Sequence, residues 1–221
     1  IKKELQSYAN AYSKDKRRTR LVADDEEHEF DPNALIRRED THVIVSKAGR
    51  IKRVRRVDDF EKIRVQKSDE IEFVVQGSTL ASVLFLTSAG ACYTLRINDV
   101  PSTTGFGEPI QAFFNFSDGE RVIRVISSDP RLNVNPAGGL VVASSGGNIA
   151  RCSIEPYLEP STKAGRRYAK LGKEERVVGV EAPEEGVSTV IVASIRGRAL
   201  CVDLDEIPIL AGIGRGRRAL A

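Results

Sequence analysis

Leu84-Phe85-Leu86-Thr87-Ser88-Ala89-Gly90 is the stretch from which the fold can be read, because its pattern occurs four times along the chain. An apolar triplet is followed at once by a hydroxyl and, three residues after the hydroxyl, by a glycine. The other copies are Val43-Ile44-Val45 with Ser46 and Gly49, Val141-Val142-Ala143 with Ser144 and Gly147, and Ile191-Val192-Ala193 with Ser194 and Gly197. The glycines are 41, 57 and 50 residues apart. Short apolar runs that end this way read as a strand running into a hairpin turn. The glycine supplies a positive φ, and the hydroxyl can hold a turn amide.

Beyond the turn, the residues three, five and seven after the glycine are apolar in the last three copies: Tyr93, Leu95, Ile97; Ala150, Cys152, Ile154; Leu200, Val202, Leu204. That is period-two alternation, one buried face of a strand. The first copy departs from it: Lys52 and Arg56 flank Val54, so its outer face is expected to be charged. Asp99-Val100-Pro101 matches Glu206-Ile207-Pro208, and a proline, which cannot donate to a ladder, ends each strand. A further strand recurs at Glu120-Arg121-Val122-Ile123 and Glu175-Arg176-Val177-Val178, with Asp69-Glu70-Ile71 as a weaker counterpart.

Each unit thus offers about four short strands, the size of one propeller blade. The chain is read as all-β and propeller-like, built of repeated four-stranded blades over residues 41–221. The fourth copy ends at Ala221 without a strand like Glu120–Val125, so truncation at that end is expected. Residues 1–40 are read as a short N-terminal helix plus linker. Ile1, Leu5, Tyr8 and Tyr12 carry the helical spacing over residues 1–20. Lys14–Arg20 then leads into an acidic run, Asp24 to Glu29, and Asp31-Pro32.

Composition excludes several classes of function. No apolar run approaches the roughly 20 residues of a membrane helix, and no signal peptide opens the chain. Cys92, Cys152 and Cys201 lie in apolar runs without metal-ligand spacing and read as small buried residues in a reduced cytoplasm. His28 and His42 belong to no nucleophile or metal constellation, and no P-loop is present. Asp58-Asp59 and Glu174-Glu175 read as solvated turns. No catalytic residue, metal or cofactor is assigned.

The net charge of +3 is unevenly spread. Residues 41–67 hold nine Lys/Arg against three acids, whereas 97–120 hold four acids and no base. A basic face beside an acidic one suits an oriented polyanion.

In order and spacing, these residues resemble the C-terminal domain of the A subunits of DNA gyrase and topoisomerase IV, the bacterial type IIA DNA topoisomerases. The resemblance rests on Ile1-Lys2-Lys3-Glu4-Leu5 with Lys16-Arg17-Arg18-Thr19, which look like the helix closing the DNA-breakage core. It rests also on Glu39-Asp40 through Ser46 and Gly49-Arg50-Ile51-Lys52-Arg53, and on Leu84–Gly90 with Tyr93, Val100-Pro101 and Gly107-x-Pro109-Ile110. It implies a β-pinwheel, a propeller variant whose blades exchange strands, with a basic rim that binds and bends duplex DNA. It further implies a dimer of A subunits partnered by an ATPase B subunit, and a nucleoid-associated cytoplasmic location. The family's cleavage tyrosine belongs to the preceding core, so Tyr8, Tyr12, Tyr93, Tyr157 and Tyr168 do not take that role. Gyrases carry a Gln-Arg-Arg-Gly-Gly-Lys-Gly box in the first-blade loop. Here that stretch is Glu61-Lys62-Ile63-Arg64-Val65-Gln66-Lys67, with weaker box-like loops at Lys163–Arg167 and Gly212–Arg218. The departure points to a topoisomerase IV-like or divergent member.

The DNA-binding candidates are the cations clustered in these loops, which would neutralise phosphates and release counterions. They are Lys47, Arg50, Lys52, Arg53, Arg55, Arg56, Lys62, Arg64, Lys163, Arg166, Arg167, Lys170, Arg215, Arg217 and Arg218. With 6% aromatic residues and no Trp, a stacking platform for single strands is poorly supported and the duplex backbone is the better target. No membrane and no small-molecule substrate is expected. The alternative is a propeller-type protein–protein interaction scaffold, since one fold hosts many functions.

Overall fold

The computed structural model describes residues 1–13, 35–57, 59, 62–132, 139–207 and 209–219. The chain falls into two compact units, Ile1–Pro32 and Asn33–Ala221. The first contains α1 (Lys2–Tyr12), in which no residue is buried. The expected continuation of the helix to Arg20, the acidic run and Asp31-Pro32 lie outside the described residues.

The second unit is built of strands. In chain order they begin with β1 (Asp40–Ser46), β2 (Arg50–Val54), β3 (Ile71–Ser78), β4 (Ser82–Thr87) and β5 (Ala91–Arg96). Next come β6 (Glu108–Pro109), β7 (Val122–Ser127), β8 (Leu140–Ser144), β9 (Asn148–Cys152) and β10 (Arg166–Arg167). The last are β11 (Val177–Glu181), β12 (Thr189–Ala193), β13 (Ala199–Asp203), β14 (Ile209–Leu210) and β15 (Arg217–Arg218). Three blades result: β3-β1-β2-β6, β7-β4-β5-β10, and β11-β8-β9 with β14 and β15 both on β9. The fourth copy forms the hairpin β12-β13.

The four glycines occupy equivalent turns, with φ of +76°, +74°, +79° and +77°. In each, the glycine N–H donates to the carbonyl of the hydroxyl residue three positions back, at 2.9 or 3.0 Å. A Cβ in this backbone region is strained, which explains the recurring glycine. Ser46 and Ser194 each accept a turn amide, as expected, from Arg50 at the start of β2 and from Arg198 just before β13. Thr87 and Ser144 instead donate to Glu120 and Glu175, each two residues before an inner strand. Glu175 also accepts from Asn148 and from the Gly172 amide, so it is a latch and not a solvated turn.

The inner strands align as the repeat requires: Ser46 faces Ile71, Thr87 faces Val122 and Ser144 faces Val177. Asp69-Glu70-Ile71 is therefore a full counterpart, and it opens the eight-residue β3. β3 packs beside β7 and β7 beside β11, forming a hub. The opposite edge of each blade is completed by chain from the next copy. β6 follows β5 yet pairs with β2, β10 follows β9 yet pairs with β5, and β15 follows β13 yet pairs with β9. Strands are exchanged between blades, as in a β-pinwheel.

Blade stacking makes the core. Val83 and Phe85 pack with Val43, Val45 and Ile51 of the first blade, while Leu84 and Leu86 pack with Leu140, Val142 and Cys152 of the third. Successive residues of one strand thus serve two different interfaces. A smaller cluster joins Val141 and Ile149 to Leu204 and Ile207, with Val190, Val192 and Val202 packed against it. Ile97 and Leu204 each open a 3-10 turn, Ile97–Asp99 and Leu204–Glu206, placed just before the exit; Pro208 lies outside the described residues.

Two further expectations are corrected. Lys52 is not part of a charged outer face: it is 3% exposed, and its ammonium donates to the carbonyls of Arg64 and Gly105. It takes the position that Tyr93 holds in blade 2, where the side chain meets the preceding blade. Among the described residues no blade covers that face of blade 1. The long lysine stem packs there while its head binds loop carbonyls. Cys201 is exposed, unlike Cys92 and Cys152, because its hairpin gains no further strand among the described residues.

Candidate nucleic-acid interface

The exchanged strands place arginines at matching positions. A glycine with positive φ precedes each strand: Gly107 (+81°), Gly165 (+67°) and Gly216 (+73°). A Cβ at Gly107 would press on Ile51 O at 2.6 Å, and one at Gly165 on Tyr93 Cε1 at 2.7 Å and Cys92 O at 3.0 Å. A Cβ at Gly216 would collide outright with Ile149 O. Ile51, Cys92 and Ile149 are themselves equivalent, so glycine is what lets the exchanged strand come this close. Glu108, Arg166 and Arg217 then pair with Ile51, Cys92 and Ile149, and Pro109, Arg167 and Arg218 with Arg50, Ala91 and Asn148. The next amides, of Ile110, Tyr168 and Ala219, donate to the carbonyls of Gly49, Gly90 and Gly147 at 2.8 to 2.9 Å. The backbone equivalence is complete.

Within these strands the side chains differ. Arg166 donates to the carbonyls of Pro156 (3.1 Å), Glu159 (2.8 Å) and Pro160 (3.2 Å). Arg217 donates to Glu206 O at 3.1 Å. Arg167 and Arg218 are exposed. In the first blade Arg50 reaches across to Gly107 O at 2.9 Å.

The remaining candidates spread over several surroundings. Lys47 is paired with Glu70, whose hydrogen bond and charge raise the ammonium's pKa. Arg55 makes two bonds to Glu39, and Lys62 pairs with Asp59 at 3.1 Å. Burial lowers the Lys52 pKa, so it is a desolvated group inside blade 1. It shares with Arg56, Lys62 and Arg64 the lining of a cleft of about 330 Å³ beside Thr104. The Arg53 Nε is buried without a hydrogen-bond partner. Arg215 lies over Gly172 and adds to the lowering of the Glu175 pKa, which Ser144 dominates. Lys163 and Lys170 are exposed in the chain flanking β10. The clusters at 163–170 and 215–218 therefore gather at blade edges, while Lys52 does not reach the surface. Asp58, Phe60 and Glu61 of the first-blade loop lie outside the described residues.

The place of Glu108-Pro109 as the first-blade equivalent of the arginine pairs is absent from the sequence expectations. A signal exists: Gly107, Gly165 and Gly216 follow their turn glycines by 17, 18 and 19 residues. Among the described residues no group of acids, histidines and cysteines could hold a metal, and no helix is long and apolar enough to cross a membrane.

A family model described as DNA gyrase C-terminal domain, beta-propeller, matches residues 81–129 and 140–183. The chain is 26% identical over 176 residues to the DNA topoisomerase 4 A subunit of Caulobacter vibrioides, covering 79% of this chain and 22% of that protein. It is 30% identical over 183 residues to the DNA gyrase A subunit of Thermotoga maritima, covering 77% of this chain and 22% of that protein. The chain belongs to the C-terminal β-pinwheel domains of the A subunits of gyrase and topoisomerase IV. Solved structures of such pinwheels share its fold. The Escherichia coli ParC C-terminal domain superposes with a TM-score of 0.70 at 20% identity, covering 83% of this chain and 72% of that one. A topoisomerase IV C-terminal domain gives 0.72 at 19% identity, covering 83% of this chain and 58% of that one. The chain spans about a quarter of the length of the curated relatives it matches, 22% to 28%.

Proposed function

We propose that this pinwheel binds and bends duplex DNA along its blade edges, as the C-terminal domain of a type IIA topoisomerase A subunit. In that reading residues 41–221 form the DNA-binding domain, and residues 1–40 are the helical end of the breakage core with its acidic linker. The domain presents DNA for strand passage and changes in supercoiling, while cleavage and ATP hydrolysis belong to the rest of the dimeric A subunits and to their B-subunit partner. The observation that carries the reading is positional: strand exchange sets Arg166-Arg167 and Arg217-Arg218 at the same place on successive blades. Repeated cations at a regular outer position suit the regular phosphates of a duplex and read no base edges.

The test is a titration of the purified chain with duplexes of different sequence across a salt series. Affinity should be nearly sequence-independent and fall with a log–log slope of about −0.9 per phosphate neutralised. An affinity that ignores salt would overturn the reading. Without the first-blade glycine box, wrapping should be weak, so ligating relaxed circles with the protein bound should shift linking number little. A large positive shift per bound molecule would reverse that part.

A second reading, a protein-interaction scaffold, is favoured by one feature. The β12–β13 hairpin and blade 3 line an open groove of about 660 Å³ that includes Val178 and Ile191. The same titration separates the two, because a scaffold would leave DNA unbound.

A further inference from the structure

We propose that the two arginines of each exchanged strand divide their work. In this assignment Arg167 and Arg218 contact phosphate, Arg166 and Arg217 are positioning residues that hold the strand, and the Glu108-Pro109 strand of blade 1 contributes no contact. The proposal rests on the DNA-binding reading above and gives it a residue-level track.

Neighbouring residues in a strand face opposite ways, so one arginine of each pair turns back toward the protein and the other away. Arg166 turns back. Its guanidinium is held by three carbonyls of the Pro156–Pro160 segment, which follows the strand of its own copy. Arg217 makes a single bond of this kind, to Glu206 O at the end of the corresponding 3-10 turn. Carbonyls gathered at the end of a turn lack donors, and a planar multi-donor cation suits them. These bonds occupy the first arginine and fix the loop that carries the second. Arg167 and Arg218 have no side-chain partner among the described residues, and both are exposed; Arg217 is exposed too, so in that pair it is the bond to Glu206 O that separates the two.

Blade 1 reaches the same strand geometry by other means. Glu108 stands where Arg166 and Arg217 do, and the cation that holds the strand comes from Arg50 on β2, through Gly107 O. Pro109 occupies the outward position and carries no charge. The acid of that strand, Glu108, thus falls on blade 1's outer edge. The track runs over blades 2 and 3.

The experiment compares four variants of the whole chain with the parent by salt-series titration and thermal unfolding. R167A/R218A should show a slope shallower by about 1.8, two phosphate contacts, with Tm unchanged. R167Q/R218Q, which keeps more of the side-chain stem, should show the same slope. R166K/R217K keeps the charge, but a lysine cannot span the three carbonyls that Arg166 holds. Its slope should equal the parent's, while Tm falls on the order of 2–4 °C and the amides of Tyr168 and Ala219 exchange faster. P109R, which places a cation at the equivalent outward position on blade 1, should steepen the slope by about 0.9. A parent slope retained in both R167A/R218A and R167Q/R218Q would overturn the contact assignment. An unchanged Tm and unchanged exchange in R166K/R217K would overturn the positioning role. A parent chain that leaves DNA unbound, or binds it regardless of salt, would instead fail the DNA-binding reading itself and this assignment with it.

Discussion

Blade 2 and the β12–β13 hairpin grow from the same motif and reach opposite ends of the burial scale. Their turns coincide: Gly90 and Gly197 have φ of +74° and +77°, and each donates at 3.0 Å to the hydroxyl residue's carbonyl. Yet every residue of β4 is buried, while no residue of β12 is, and Ile191 is 76% exposed. The difference lies in neighbours. β4 has β5 and β7 at its edges and blades on both faces, whereas β12 pairs with β13 alone among the described residues. The motif makes a hairpin; neighbouring blades make a core.

The thiols should show this contrast most strongly. Burial pushes the Cys92 thiol up to about 12 and Cys152 up to about 11, while Cys201 is exposed. A thiol at 12 carries roughly a thousandfold less thiolate than an ordinary one near 8.5. Alkylation followed by mass spectrometry should therefore give one adduct on the native chain, at Cys201, and three after denaturation. Rapid native labelling of Cys92 would mean that blade 2 is open in solution.

A stability comparison comes next. Phe85 is fully buried between blades 1 and 2, and its ring lies 6.3 Å from that of Phe114. Phe85→Ala should cost about 3–5 kcal/mol in urea unfolding. Ile191→Ala, at a surface position of the hairpin, should stay within about 0.5 kcal/mol. Similar costs at both sites would show that the hairpin is covered in solution.

A weaker effect is expected in acid, at a closed seam between blades that the hairpin has no counterpart for. Asp129 is 3% exposed and accepts from the Arg131 guanidinium and from the Ser78 amide, and Arg131 also binds Asp40 of blade 1. The Arg131 hydrogen bond, together with the backbone amides, holds the Asp129 carboxyl well below the ordinary 3.8. A depressed folded pKa gives a contribution that is complete above the unfolded value and lost as pH falls through the folded one. Tm should therefore drop as pH is lowered below about 4, and less steeply in Asp129→Asn. Equal acid slopes in both proteins would show that the seam contributes nothing to acid sensitivity.

Much of this was legible in advance because turns and alternation are local. The four glycine turns and the strands on either side of them follow from φ preference and period-two geometry. The candidate site was legible as composition only. Arg166 and Arg167 are adjacent and chemically identical in the sequence, and so are Arg217 and Arg218. Nothing local tells which of each pair meets carbonyls. Lys52 misled for a related reason: at a position where other copies carry Tyr93 or Ala150, a lysine reads as solvent-facing until the Arg64 and Gly105 carbonyls are seen beside it.

Short-range backbone and side-chain preferences are enough to specify the unit: a strand, a glycine turn, a returning strand and an acid-led inner strand. Which copy completes which blade is a property of the assembled fold. Arg166 and Arg167 belong to the third repeat along the chain but pair with β5 of the second blade. Such pairing depends on which edge offers unpaired amides and carbonyls at the end of a crossing segment, and on a glycine that admits close approach to Cys92 or Ile149. Those partners lie more than 60 residues away from the strands they receive, beyond the reach of any local pattern.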